Sequence, residues 1–254
     1  MQPEIDLGLI ELQTFGISLA LAFIAVGLLL ARRFAETGHP PDWAYEALFA
    51  AVVGGLIGAR VDYLIQNWER VSEDLLGAVF SGSGLVFFGG LAGGAAGVAL
   101  WAWWRGVLGL ELADAAAPAV ALGYAIGRVG CQVSGDGDYG VASGLPWAMA
   151  YPEGAVPTTE VVHPTPIYET VAMGVVALWL WRMCDRLAHG MLMALYLVIA
   201  GIERLAIELI RRNDAVLAGL TLAQLVSIAM IAAGAAWIAL GGGLRDRGLP
   251  GAAS

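Results

Sequence analysis

The segment Gly127-Arg128-Val129-Gly130-Cys131-Gln132-Val133-Ser134-Gly135-Asp136-Gly137-Asp138-Tyr139-Gly140 sets an arginine, two carboxylates, a thiol and a tyrosine on a glycine-rich backbone. It closes an apolar run in a chain that otherwise avoids charge. Charged residues are 14% and apolar residues 59% of 254 positions, and the mean hydropathy is +0.73. A soluble domain carries roughly 25% charged residues, so the apolar runs read as membrane spans, each of about 20 residues. A second polar cluster, His163-Pro164-Thr165-Pro166-Ile167-Tyr168-Glu169, follows after a loop. Chemistry is expected in these two clusters.

Outward from the first cluster, seven apolar segments follow: about Leu12–Ala31, Ala44–Ile65, Gly84–Trp104, Leu112–Val129, Thr165–Arg182, Met191–Ile210 and Leu220–Leu240. The expected fold is all-α, a polytopic integral membrane protein with about seven transmembrane helices and a small loop region on the outer face. It is read as one transmembrane domain over residues 1–254, with residues 131–164 as a loop or head segment within it. Gly54, Gly55 and Gly58 permit close helix contact. Between the second and third spans, residues 67–80 mix Trp68, Val71, Leu75 and Leu76 with Glu69, Arg70, Glu73 and Asp74, as in a segment lying in the interface plane. Glu4, Asp6 and Glu11 precede the first span without a basic residue, so that span reads as an anchor rather than a cleaved leader.

All thirteen basic residues are arginine. With the N-terminus outside, the inner loops hold Arg32, Arg33, Arg105, Arg182, Arg186, Arg245 and Arg247, against Arg70, Arg211 and Arg212 outside, which satisfies the positive-inside rule. The two polar clusters then face outward. A net charge of -9 argues against nucleic acid as a partner. Cys131 and Cys184 lie near opposite ends of adjacent spans, which disfavours a disulfide, and without a CxxC spacing they do not suggest a metal site.

Arg60, Arg128 and Arg204 lie within or at the ends of spans, where a charge costs roughly 2.5 to 3.5 kcal/mol. Three converging guanidinium groups suit a phosphate or lipid headgroup. Each also has a structural reading: Arg60 with Asp62 or Glu203, and Arg204 with Glu208 at the i,i+4 spacing. Asp136 and Asp138 suit a general base, an amide-holding pair or a cation site; Asp and Gly at a helix end are equally turn chemistry. His163 is either a hydrogen-bonding residue or a catalyst. Tyr168 and Glu169 suit a buried pair holding the loop, and Cys131 suits packing.

Gly127-Arg128-Val129-Gly130 with Gly135 and Gly140, followed by His163-Pro164 and Tyr168-Glu169, resembles the Gly-Arg-x-Gly signature and the His-Pro-x-x-x-Tyr-Glu motif of the prolipoprotein diacylglyceryl transferase family. Phe88-Gly89-Gly90-Leu91 is similar to that family's opening of the third span, Gly58-Ala59-Arg60 to its second-span arginine, and Arg204, Glu208, Arg211 and Asp214 to its sixth-span pattern. The resemblance implies a bacterial inner-membrane enzyme with a periplasmic-facing site. It would move the diacylglyceryl group of phosphatidylglycerol, a membrane lipid, to the lipobox cysteine of a preprolipoprotein signal peptide. A thioether forms and glycerol phosphate leaves; no cofactor or metal is implied.

By position, Arg128 and Arg204 would bind the headgroup and stabilise the departing phosphate, supported by Arg60, Glu208 and Arg211. Gly140, Tyr168 and Glu169 complete the expected substrate-binding set. The chain departs from the family's usual residues at Leu19, Phe88, Cys131, Ser134 and Ala200, where a tyrosine, a histidine, two asparagines and a tyrosine are common. Phe88 cannot take a proton, so Asp136, Asp138, His163 or interfacial water is expected to accept the thiol proton. The alternative is a lipid-binding protein or transporter using the same arginines without catalysis. Transporters often carry internal inverted repeats, and none is visible.

Overall fold

A computed structural model describes residues 1–6, 8, 11–71 and 86–240. Its long elements are helices: α1 (Thr14–Glu36), α2 (Trp43–Gln66), α4 (Phe87–Arg105), α5 (Leu110–Ser134), α6 (Thr165–Met183), α7 (Met191–Glu208) and α8 (Leu222–Leu240), with α3 (Trp68–Val71) a single turn. The expectation of an interfacial segment over 67–80 lies largely outside the described residues. Strand among the described residues is confined to two antiparallel hairpins, β1 (Glu4–Asp6) with β2 (Glu11–Gln13) and β3 (Met149–Tyr151) with β4 (Thr158–Val162). Hydropathy reading missed both, because each strand is only three to five residues long.

By length and composition α1, α2, α5 and α8 can cross a membrane. α7 falls short of that measure with Glu203, Arg204 and Glu208 inside its 18 residues. Large apolar side chains such as Leu21, Ile24, Leu28, Phe49, Trp104, Val171 and Val175 are exposed along the helices, the inverse of a water-soluble surface and the expected state of lipid-facing residues.

Two helices overrun their apolar segments. α1 continues past Arg32-Arg33 because Arg32 Nε donates to Glu36 Oε1 at 3.0 Å, an i,i+4 pair that supports another turn. α5 continues past Val129 because Gly130 packs against α1, where a Cβ would lie 2.7 Å from that of Ser18. It stops only where Gly135 takes φ +62° and donates its N–H to Cys131 O at 3.0 Å, a left-handed helix end that glycine adopts at least cost. Residues 131–134 are therefore helical, and the loop begins at Gly135.

The chain forms two compact units. In residues 30–112, α2 and α4 pack backbone to backbone: a Cβ on Gly58, Gly93 or Gly97 would come within 2.3 Å of the carbonyl oxygen of Gly89, Gly54 or Ala50, respectively. Glu46 of α2 accepts from Trp101 Nε1 at 2.9 Å and from Arg105 NH2 at 2.5 Å, and the Arg105 guanidinium lies 4.9 Å from the Trp104 ring centroid.

The other unit joins residues 1–29 to residues 113–254. Its core is Ala117, Ala121 and Ala125 of α5 against Met173, Ala177 and Leu180 of α6, with Met191 and Leu192 of α7. The buried carboxylate of Asp114 accepts the backbone N–H groups of Gly190, Leu192 and Met193 at 2.7, 2.9 and 3.2 Å. It thus caps the positive end of α7 from a neighbouring helix and fixes the helix that carries Arg204.

Candidate functional site

Glu169, fully buried near the start of α6, is the hub of the second unit. Tyr124 Oη donates to its Oε1 at 2.5 Å. Arg128 Nε and Arg204 NH1 both lie 3.3 Å from the same oxygen, and Arg211 NH1 lies 3.9 Å from Oε2. Tyr124 and Arg128 are one turn apart on α5, so the guanidinium also stands 5.0 Å over the phenol ring.

Asp138 closes the cluster from the loop, pairing one carboxylate oxygen with Arg128 and the other with Arg211. Its own backbone carbonyl accepts from Thr165 Oγ1 at the head of α6. Burial pushes the Asp138 carboxyl up, but the Arg128 and Arg211 guanidinium groups outweigh it and hold the carboxyl below its ordinary value of 3.8. Arg204 NH2 lies 2.8 Å from Glu208 Oε2, and Glu208 Oε1 accepts from Asn213 Nδ2 at 2.8 Å and Thr221 Oγ1 at 2.6 Å. Three guanidinium groups are thus held by three carboxylates. Their orientation is fixed by buried partners, the condition under which arginine reads an anion by geometry as well as charge.

Beside the cluster lies the β3–β4 hairpin. Gly140 N donates to His163 O at 2.9 Å and Val141 N to Ile210 O at 2.8 Å. A Cβ on Gly140 would stand 2.6 Å from Ile210 O, so glycine is needed there for close backbone approach. His163 Nδ1 lies 3.3 Å from Tyr168 Oη, which accepts from Trp147 Nε1 at 2.8 Å. Tyr151, its phenol pushed up by burial, donates to Gln132 Oε1 at 2.9 Å.

Six residues singled out from the sequence, Arg128, Asp138, Glu169, Arg204, Glu208 and Arg211, therefore meet in one ionic network. Gly140 and His163 belong to the adjoining loop, and Tyr168, on the first turn of α6, reaches His163. Asp136 is turned to its own backbone, with Oδ1 accepting from Asp138 N at 3.2 Å. Arg60 belongs to the other unit, where its guanidinium stands 5.2 Å from the Tyr63 ring centroid. Sequence reading missed Tyr124, Asp114 and the Thr221–Asn213 support of Glu208. The i,i+4 spacing of Tyr124 and Arg128 was the available signal; the Asp114 cap joins distant segments, and the Asn213 and Thr221 contacts form across the turn that follows α7. Among the described residues, Cys131, Asp136 and Asp138 bring ligand-type atoms within 4.8 Å of one another. A cation there would compete with two guanidinium groups already on Asp138, so the donor set suits an arginine clamp better than a metal.

Apolar helices around a buried arginine–carboxylate network define a helical membrane protein with an ionic centre. The chain belongs to the prolipoprotein diacylglyceryl transferase family, whose profile matches residues 4–240. It is 33% identical over 250 residues to the phosphatidylglycerol–prolipoprotein diacylglyceryl transferase of Chromohalobacter salexigens, covering 92% of this chain and 91% of that protein. It is 34% identical over 244 residues to the same-named protein of Methylibium petroleiphilum, covering 91% and 89%. A Clostridium perfringens relative, named phosphatidylglycerol–prolipoprotein diacylglyceryl transferase 2, is 29% identical over 232 residues, covering 89% of each chain. The family resemblance carried by the two polar clusters is borne out.

Proposed function

We propose that this protein transfers the diacylglyceryl group of phosphatidylglycerol to the lipobox cysteine of preprolipoproteins. The sulfur attacks the terminal glyceryl carbon, the carbon–oxygen bond to phosphate breaks, and glycerol phosphate leaves with a thioether in place. Family membership supports the reaction. The observation that carries the site is the convergence of Arg128, Arg204 and Arg211 on Glu169.

In this reading Arg128 and Arg204 grip the phosphate and stabilise the charge that develops on the leaving oxygen. Arg211 and Glu208 hold them in register. Asp138 keeps Arg128 and Arg211 on the loop side, Asp136 shapes the turn, and His163, Tyr168 and Gly140 seat the hairpin beside the cluster. Arg60 lies in the other unit, and its supporting role is carried over from the family resemblance alone. The protein spans a bacterial inner membrane about seven times with its N-terminus outside, and the site faces outward; the arginine asymmetry of the loops supports this orientation.

The test is depletion of a host's own transferase, complementation by this chain, and a mass measurement on a lipoprotein. Rescue with the diacylglyceryl mass increment is expected for the wild type, and an Arg128→Lys variant is expected to lose about 10²- to 10³-fold in transfer rate. No thioether product from well-expressed wild-type protein with phosphatidylglycerol would overturn the assignment, leaving headgroup binding without bond making.

A further inference from the structure

Three carboxylates of the network answer three arginines, and a fourth is left over. Glu203 sits next to Arg204 on α7, close enough to Glu169, Arg204 and Arg128 for their charges to act on it. Its Oε1 is buried and has no hydrogen-bond partner. A buried polar atom without a partner costs stability and calls for an explanation. Tyr124 and Arg128 of α5, Glu169 of α6, and Tyr196 and Arg204 of α7 are the ionisable groups acting on it, and Leu222–Leu240 of α8 contains none.

The proposed transfer needs a proton acceptor, because a neutral thiol is a poor nucleophile and the thiolate is the attacking form. Glu169 Oε2 and Glu208 Oε2 are likewise buried without a hydrogen-bond partner, but both carboxylates are ion-paired with arginines of the cluster. Asp138 holds two guanidinium groups, Glu208 is bonded by Asn213, Thr221 and Arg204, and Glu169 serves as the hub. Asp136 accepts from its own turn and His163 is bonded to Tyr168. An acceptor needs a lone pair not already committed to a counter-charge, and Glu203, with its buried Oε1 unbonded and no ion pair to any described residue, has one.

Resting on the function proposed above, we propose that Glu203 is the catalytic base: it takes the thiol proton as sulfur attacks and passes it to the departing phosphate. The sulfur–carbon bond forms as the carbon–oxygen bond breaks, and the electron pair of that bond goes to the phosphate oxygen. The proton lost by sulfur ends on glycerol phosphate, so Glu203 returns to its carboxylate and no further reactant is consumed.

The experiment compares wild type, Glu203→Gln and Glu203→Asp, purified in detergent, with phosphatidylglycerol and a lipobox peptide. A positioned general base contributes typically about 10²- to 10⁴-fold. Glu203→Gln is therefore expected to lose at least about 10²-fold in kcat with KM for the lipid within about threefold, and Glu203→Asp to keep part of the rate. A peptide with selenocysteine at the lipobox position supplies a nucleophile already ionised at neutral pH. With it, Glu203→Gln should recover to within about tenfold of wild type, a rescue that a merely structural role would not give.

If the wild type forms no thioether, the proposed function falls and this inference with it. If the wild type is active, three results overturn the inference alone: unchanged transfer in Glu203→Gln, loss of transfer together with loss of phosphatidylglycerol binding, or no rescue by the selenol.

Discussion

Two regions of this molecule solve opposite packing problems with side chains at opposite extremes. In residues 30–112, α2 and α4 meet through glycines, and the contact is made by removing side chains until carbonyl oxygens lie where a Cβ would go. In the other unit, α5, α6 and α7 meet through some of the largest polar side chains available, arginines locked on Glu169 and Asp138. The glycine contact gains dispersion energy without polar commitments. The ionic contact accepts desolvation of several charges, which pairing repays only when geometry is good. A fold does not require such a network when apolar packing would serve, which is why the proposed function is placed on the ionic region and the glycine region is read as scaffold.

The sharpest way to break the contrast is Glu169→Gln. It keeps shape but leaves Arg128, Arg204 and Arg211 without their shared counter-charge. Removing one partner of a buried ion pair costs about 3–5 kcal/mol, so thermal unfolding in detergent should show a large fall, and transfer should be lost with it. A smaller effect is expected in the scaffold from Gly93→Ala. Alanine is the better helix former by about 1 kcal/mol, but its Cβ would stand 2.3 Å from Gly54 O. The helices must part, and a net loss of about 1–3 kcal/mol is expected. Gly174→Ala on α6 meets nothing within 4 Å and should keep the propensity gain. If both alanines behaved alike in thermal unfolding, close backbone approach would not be what holds α2 to α4.

How far these regions were legible from the sequence differs for the same physical reason. Helix existence follows from runs of apolar residues, and the Gly54, Gly55 and Gly58 pattern already points to a close partner. Helix ends were misjudged at Glu36 and Ser134 because a charged pair in one case and a glycine packed on Ser18 in the other extend a helix beyond its apolar segment. The two hairpins were invisible, since their register is set by contacts such as Met149 opposite Val162 rather than by local periodicity. Arginines within apolar runs pointed to the ionic network, because their cost is local. The hub was underread: Glu169 looked like a loop anchor, and only three-dimensional convergence makes it the partner of residues 41 and 35 positions away on α5 and α7. Tyr124 and the Asp114 cap are of the same kind, each a side chain whose role depends on a different helix.

A third measurement probes the loop side of the network through pH. The Asp138 carboxyl is held below 3.8 in the folded protein. A depressed carboxyl contributes stability that is fully present above its unfolded value and is lost as pH falls through its folded value. Protection of residues 135–162 against hydrogen exchange should therefore be flat with respect to Asp138 from neutral pH down to about 5, and should drop only in stronger acid. Asp138→Asn should weaken protection at neutral pH, and its difference from wild type should vanish at the acid end. A difference that grew on acidification would show that Asp138 is not held as a carboxylate by its two arginines.

The smallest effect belongs to an ion pair that resembles the buried ones only on paper. Arg212 NH2 lies 2.6 Å from Glu160 Oε2, yet the two side chains are 40% and 60% exposed. Water already solvates both charges, so pairing replaces one favourable environment by another and restricts two long side chains. Arg212→Ala is expected to cost less than about 1 kcal/mol, partly through lost packing on Tyr139, whose ring centroid is 5.8 Å from the guanidinium. Raising salt to 1 M shortens the screening length to about 3 Å and should erase the remainder, whereas the same salt should leave the Glu169→Gln deficit nearly intact. Thermal unfolding of both variants at low and high salt separates the cases: distance alone does not make an arginine–carboxylate pair worth keeping, and burial among fixed partners does.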